Sequence, residues 1–423
     1  MPKSPSRNSP TPFELFAVTA PGLESITAGE LKALGLRGRR EAGRETSEAG
    51  GVSFAGGLEA IYRANLWLRT TSRVLLRMGR FHASTFYELE RRAKKMDWLA
   101  FLPATGSVEV RVTCRKSRLY HSDAVAERIL GAIARVAPSS LKVESSGNAD
   151  GESEDADAEE TGKRLTNGDP TQSSQRFAVR IVDDQCEISA DTSGELLHRR
   201  GYRLETAKAP LRETLAAAMV LASGWKPNRQ LIDPMCGSGT IPIEAALMAR
   251  RMAPGLNRGF QFMNWASFDQ RLWTRILGEA KDTIIAPPLR IHGSDRDSGA
   301  IESSKRNAER AGVANDVQFS AESVSGAFAG LEDVADGDGW IITNPPYGVR
   351  VGESVDLRNL YATLGNSVRT KGGWRIGVLA AEEVLADQMR LPMRSRFESR
   401  NGGIPVRFLV SERIEDGIAP AVR

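Results

Sequence analysis

Cysteine is scarce in this chain of 423 residues. Cys114, Cys186 and Cys236 are too few and too scattered for a disulfide framework or a zinc site. Four isolated histidines are equally poor material for a metal centre, so no metal is expected. No run of about 18 apolar residues occurs, which argues against a membrane span. The opening stretch from Met1 to Pro10 lacks the apolar core of a secretory signal, and residues 1–12 read as a disordered tail. These shortages suggest a reducing, cytoplasmic setting without a membrane partner.

Charge is plentiful but uneven. Residues 144–175 hold nine acidic residues against two basic ones, a charge of −7, which leaves +11 on the rest of a chain whose net charge is +4. A body that basic suits a polyanion. The acidic stretch is rich in Ser, Gly and Asn and reads as a disordered insertion. Strand-like alternation flanks it: Val108, Val110 and Val112 before it, Phe177, Val179 and Ile181 after it. It is therefore expected inside a domain, as an elongated loop.

Two basic clusters lie ahead of the acidic stretch. Nine Arg/Lys lie between Arg63 and Lys95, and Arg111, Arg115, Lys116 and Arg118 lead into Tyr120 and His121. Basic residues neutralise phosphates, and exposed rings stack on unpaired bases, so RNA is the expected partner. The first 195 residues mix short strands and helices. Strands are expected at 13–20, 52–54 and 74–78, and helices at 23–34 and 58–68. From about residue 205, strand–helix units repeat, with strands expected at 231–232, 289–293, 317–319, 340–343, 375–380 and 406–410. This is the pattern of an α/β fold with a mainly parallel sheet and helices on both faces.

Two runs carry the chemistry. In Asp233-Pro234-Met235-Cys236-Gly237-Ser238-Gly239-Thr240, glycines allow a tight strand-to-helix turn and close backbone approach to a ligand. No Lys follows the last glycine, so it is not a phosphate-binding loop, and the third glycine of a dinucleotide fingerprint is missing. What remains is room for the amino-acid end of S-adenosylmethionine, with Asp233 placed to meet its ammonium or an ordering water. The same glycines would also serve a plain corner. Asp295 ends the next strand, where a carboxylate can accept both hydroxyls of a ribose. Asn344-Pro345-Pro346-Tyr347 follows a further strand. An exocyclic amine on a base is a poor nucleophile, because its lone pair is delocalised. The Asn344 oxygen and the Pro345 carbonyl can each accept one amine hydrogen, prolines fix the carbonyl direction, and Tyr347 offers a ring for stacking.

At these residues the chain resembles the THUMP-domain class I RNA methyltransferases that modify guanine at N2, and it is most similar to their 23S ribosomal RNA branch. Phe16 to Glu24 is similar to the family's opening. His198-Arg199-Arg200-Gly201-Tyr202-Arg203 and Ala209 to Ala216 resemble its junction into the catalytic domain, and Ala253 to Trp265 its insertion after the first helix. The likeness covers roughly residues 13–415. It implies a ferredoxin-like part over 13–54, a THUMP RNA-binding domain over 55–194 and a Rossmann-like methyltransferase domain over 195–423. It implies that Asp233, Pro234, Cys236, Gly237, Gly239 and Thr240 line S-adenosylmethionine, that Asp295 holds its ribose, and that the backbone from Leu211 to Thr214 lies nearby. Asn344, Pro345, Pro346 and Tyr347 would hold the guanine amine. The family often has an acid after the strand at 317–319 for the adenine amine. Here Ser323 stands at that place with Glu322 beside it, and Glu322 is the residue chosen. A tRNA guanine-N2 methyltransferase shares this layout, and a non-catalytic RNA-binding or ribosome assembly factor is the alternative of another class.

Overall fold

The computed structural model describes residues 12–36, 40–41, 44–45, 47–48, 50–143, 174–204, 211–286, 290–329, 339–347, 354–371 and 373–413. The expected tail, save residue 12, and the acidic insertion up to residue 173 lie outside these. The insertion ends earlier than expected: Ser174 and Gln175 already belong to a strand, and Gln175 is wholly buried.

The chain divides into two compact units. The first comprises Met1–Thr19, Ala28–Leu197 and Gly259–Leu277. Its strands are β1 (Phe13–Thr19), β2 (Arg40–Glu41), β3 (Arg44–Glu45), β4 (Ser47–Glu48), β5 (Gly51–Gly56), β6 (Thr71–His82), β7 (Gly106–Arg115), β8 (Leu141–Val143), β9 (Ser174–Val182) and β10 (Gln185–Asp191). Among the described residues, eight of them form one sheet in the order β4-β5-β1-β6-β10-β9-β7-β8. β6 is much longer than the expected strand at 74–78 because its ladders run on, with β10 as far as His82 and with β1 back to Thr71. The Arg77 guanidinium reaches Glu14 at 3.0 Å, Glu187 at 3.1 Å and the Ser53 hydroxyl at 2.8 Å, and it lies 4.5 Å from the Phe16 ring centre. A segment from the middle of the chain completes this unit's core. Phe262 stacks on Tyr62 at 4.5 Å between ring centres, the Trp265 indole donates to Gln175 at 2.7 Å, and the Asp269 amide donates to the Tyr62 hydroxyl at 2.9 Å.

The second unit comprises Ala20–Thr27, His198–Arg258 and Gly278–Arg423. Its strands are β11 (Leu231–Asp233), β12 (Ile291–Asp295), β13 (Val317–Ala321), β14 (Gly339–Thr343), β15 (Trp374–Ala380), β16 (Met393–Asn401) and β17 (Ile404–Ser411), in the sheet order β13-β12-β11-β14-β15-β17-β16. The first five run parallel, while β17 and β16 are antiparallel. Apolar residues alternate between two covered faces. Leu231, Trp340 and Ile342 enter one core with Ile243 and Ala246, whereas Ile232, Ile341 and Ile376 enter the other with Tyr361 and Leu364. Burial on both faces explains the continuous apolar runs of β11 and β14. β16 is the strand no pattern announced. Its Met-Arg-Ser-Arg-Phe-Glu-Ser-Arg-Asn sequence lies on the sheet edge, where charge is tolerated.

The order of strands reverses between β11 and β14, and ligands in such sheets sit beyond the strand ends at that reversal. β14 is held close to β15 by a glycine. A methyl group on Gly339 would come within 2.3 Å of the Trp374 ring. Gly339→Ala is expected to cost about 1–3 kcal/mol of stability through overpacking. Urea unfolding at the wild-type midpoint would contradict that packing.

Candidate active site

Three strand ends meet at the reversal. Asp233 ends β11, Asp295 ends β12, and Thr343 ends β14 one residue before Asn344. Hydrogen bonds join them. The Thr343 hydroxyl donates to Asp233 Oδ1 at 2.7 Å, and the Met235 amide donates to the same oxygen at 3.2 Å. The Gly237 amide donates to Asp295 Oδ2 at 3.0 Å, and the Asp297 amide donates to Asp295 Oδ1 at 3.0 Å. The Cys236 amide donates to the Ser294 carbonyl at 2.9 Å. The glycine turn is thereby stitched to β12 on one side and to β14 on the other.

The glycines are required by backbone shape. Gly237 has φ +52° and Gly239 φ +82°, the left-handed region that side chains disfavour. A methyl group on Gly239 would lie 3.0 Å from the Ser304 side chain and 3.2 Å from the Phe319 ring. The helix Ser298–Ala311 braces the turn from behind: Ser304 donates to the Gly237 carbonyl at 2.8 Å and Asn307 to the Ser238 carbonyl at 3.1 Å. These two supports were not foreseen. They follow Asp297 by seven and ten residues, on the inward face of a helix whose start Asp297 caps, so helical spacing was the signal. Gly239 is the cap of the helix Thr240–Ala249, which leaves that N-terminus without a covering side chain.

Asp233 is 1 % exposed. Burial pushes its carboxyl up to about 7, the bonds from Thr343 and Met235 pull it back, and the neighbouring Asp295 charge adds to the rise. Burial likewise drives the Cys236 thiol well above its usual value, so it is no nucleophile. Pro234 and Thr240 are buried beside it.

At the other motif, Pro345 is buried, Pro346 is exposed and Asn344 is half-buried. Tyr347 differs from its expected stacking role in one respect. Its ring packs against the core, and its hydroxyl donates to Asn344 Oδ1 at 2.5 Å while accepting from Asn401 Nδ2 at 3.0 Å. Asn401, on β16, is a residue that sequence reasoning missed.

Glu322 and Ser323 follow β13. The Glu322 amide donates to the Asp295 carbonyl at 3.0 Å, which sets it beside the ribose candidate. Its carboxylate accepts from Ser320 and lies 3.5 Å from His292 Nε2, whose ring burial holds below its ordinary range. The Ser323 hydroxyl accepts from the Gly326 amide at 3.2 Å, in the first turn of the helix Val324–Ala329. Thr214 lies buried in the first turn of the helix Glu213–Ser223. The preceding Arg203 donates to the Leu211 carbonyl at 2.6 Å and to Glu213 at 2.9 Å.

The donor set fits S-adenosylmethionine. A helix N-terminus free of side chains faces the corner. Each Asp295 oxygen takes one backbone N–H and keeps a lone pair for a hydroxyl. Among the described residues, no group of three His, Cys, Asp or Glu could hold a metal ion, and no helix is long and apolar enough to cross a membrane.

The basic clusters in the first unit are thinner than their counts suggested. Arg73 pairs with Asp191, Arg77 with Glu14 and Glu187, Arg80 with Glu187, and Lys94 with Glu90. Arg91, Arg92 and Lys95 stay exposed on or just beyond the helix Phe86–Ala93, which also carries Tyr87, 74 % exposed. Tyr120 is 69 % exposed, with the His121 ring 4.0 Å away.

Comparison with known proteins places these features. A family model described as "RMKL-like, methyltransferase domain" matches residues 200–408, and an "RlmL ferredoxin-like domain" matches 14–75. The chain is 33% identical over 410 residues to a Synechocystis sp. protein named as a candidate RNA methyltransferase, slr0064, covering 96% of this chain and 98% of that one. It is 35% identical over 409 residues to the ribosomal RNA large subunit methyltransferase K/L of Syntrophotalea carbinolica, covering 94% of this chain but 53% of that one. The chain thus spans about half the length of the K/L protein. The crystal structure of SMU.472, named as a candidate methyltransferase and complexed with S-adenosylhomocysteine, superposes with a TM-score of 0.79 at 28% identity, covering 96% of this chain and 100% of that one.

The raised Asp233 carboxyl yields a signed expectation. Its folded value, about 7, lies above the ordinary 3.8, so its stabilising contribution is full below the ordinary value and is lost as pH rises through about 7. Relative to wild type, Asp233→Asn should therefore gain stability as pH rises from about 4 to about 7 and level off above that. Urea unfolding across that window measures it, and a difference that is flat or falls with pH would contradict the buried, protonated carboxyl.

Proposed function

This chain belongs to the RMKL-like family of S-adenosylmethionine-dependent methyltransferases, and from that premise we propose that it forms N2-methylguanosine in RNA, with 23S ribosomal RNA as its substrate. One observation carries the reading: the bond from Thr343 to Asp233 sets the Asn-Pro-Pro-Tyr turn beside the glycine turn at a single strand reversal. The names of the relatives support RNA, and the K/L relative supports the large ribosomal subunit.

S-adenosylmethionine, when bound, supplies an electrophilic methyl on a sulfonium. Asp295 would accept the ribose hydroxyls, and Glu322, beside it in space, would lie toward the adenine. Gly237, Gly239, Cys236, Pro234 and Thr240 would form the wall at the methionine end, with Asp233 behind them and Thr214 on the adjoining helix. Asn344 Oδ1 and the Pro345 carbonyl would each accept one hydrogen of the guanine amine, so that its lone pair faces the methyl. The amine nitrogen would take the methyl from the bound cofactor, leaving a neutral thioether, and the methylated amine would release its extra proton to water. A flipped-out guanine suits this geometry, because a paired base cannot present its amine. Residues 55–194 would act as a THUMP module that grips RNA through Arg91, Arg92 and Lys95, with Tyr87 and Tyr120 as stacking surfaces.

Asn344→Ala should abolish methyl transfer to RNA from a strain lacking the protein, while binding S-adenosylmethionine as wild type does. Full activity in this variant would overturn the role of the turn. Mass spectrometry of nucleosides from the deletion strain should show N2-methylguanosine lost from large-subunit RNA. Loss from tRNA alone would move the substrate to tRNA, and no loss in either would leave a binding factor.

A further inference from the structure

We infer that Asn401 is a positioning residue for methyl transfer, acting through Tyr347 to fix the side-chain amide of Asn344. This rests on the reading of Asn344 as the group that holds the target amine. The three side chains form one directed relay. Asn401 Nδ2 donates to the Tyr347 hydroxyl at 3.0 Å, and that hydroxyl donates to Asn344 Oδ1 at 2.5 Å.

Direction matters because an amide has two unlike ends. A carboxamide rotated by half a turn would offer two N–H groups where the target amine needs an acceptor. A phenol hydroxyl whose oxygen already takes a hydrogen bond from Asn401 has its own proton left to give. It gives that proton to the oxygen of Asn344, which fixes which end of the amide faces which way. The oxygen keeps one lone pair for an amine hydrogen. Hydrogen bonds in such a chain also polarise one another, so donation by Asn401 makes the phenol a better donor. Burial pushes the Tyr347 hydroxyl up to about 12, which keeps it protonated through the neutral range.

The rest of the fold holds Asn401 where this requires. It is 8 % exposed and is the last residue of β16. Gly402 and Gly403, at φ +56° and +82°, close a two-residue turn that pairs Asn401 with Ile404 of β17. Phe397 of β16 stacks on Phe408 of β17 at 5.3 Å, which pins the register. β17 pairs with β15, and β15 with β14, the strand that leads into Asn344. Asn401, 54 residues beyond Tyr347 in sequence, is thus tied by the sheet to the turn it orients.

A double-mutant cycle tests this, using the full chain, S-adenosylmethionine and total RNA from a strain lacking the protein. Asn401→Leu should lower kcat by about 10- to 100-fold, the scale of a misplaced reacting group, with affinity for S-adenosylmethionine unchanged. In a Tyr347→Phe background the same substitution should cost nothing further. Should Asn401→Leu fail to fold, Asn401→Asp keeps the shape but accepts the phenol proton, and the same loss is expected. A readout independent of turnover uses nitrogen-15-labelled asparagine. The side-chain amide resonance of Asn401, identified by its absence in the substituted chain, should shift in Tyr347→Phe. Wild-type kcat in the Asn401 variants, losses that multiply in the double variant, or an unmoved resonance would overturn the positioning role. If Asn344→Ala is inactive while the Asn401 variants are unimpaired, only this inference fails. If Asn344→Ala is active, the underlying reading fails.

Discussion

The buried Asp233 carboxyl is the constraint on which the site depends. It ends β11, accepts a hydrogen bond from the Thr343 hydroxyl on β14 at one side, and lies near Asp295, which ends β12 at the other. A polar group buried without partners costs free energy, so the Thr343 and Met235 donors are what make its place tenable. Those same bonds hold the glycine turn and the Asn-Pro-Pro-Tyr turn at a fixed spacing. The Asp295 carboxylate then ties the glycine turn to β12. The chemistry proposed for the site needs little beyond such positioning, since the methyl comes activated and no titrating base is required.

Much of this was legible in the sequence where local rules act alone. Gly237 and Gly239 announced a tight strand-to-helix turn, which their left-handed backbone bears out, and the apolar runs of β11 and β14 announced strands of a sheet covered on both faces. What stayed hidden depends on partners distant in the chain. β16 shows no strand pattern because an edge strand exposes most of its residues, and Asn401 at its end is ordinary until Tyr347 is placed beside it. Arg73 and Arg77 read as RNA-facing charge until their acidic partners on β1 and β10 appear. The bond that the Ser323 hydroxyl accepts from Gly326 is likewise invisible until the helix start is placed.

The two compact units also resist a linear reading. Residues 259–277 follow the first helix of the catalytic sheet in sequence but complete the core around Tyr62 in the other unit. Aromatic content in that segment (Phe260, Phe262, Trp265, Trp273) announces burial, but no local pattern says against what. Burial of large rings is non-directional, so periodicity alone cannot assign the partner.

The central claim is that the corner of Asp233, Gly237 and Asp295 is the cofactor's seat, and calorimetric titration with S-adenosylhomocysteine tests it most directly. The wild-type chain should bind, and Asp295→Ala, shown by circular dichroism to remain folded, should bind at least about tenfold more weakly through loss of its hydroxyl contacts. Equal affinity in the two proteins would contradict the account.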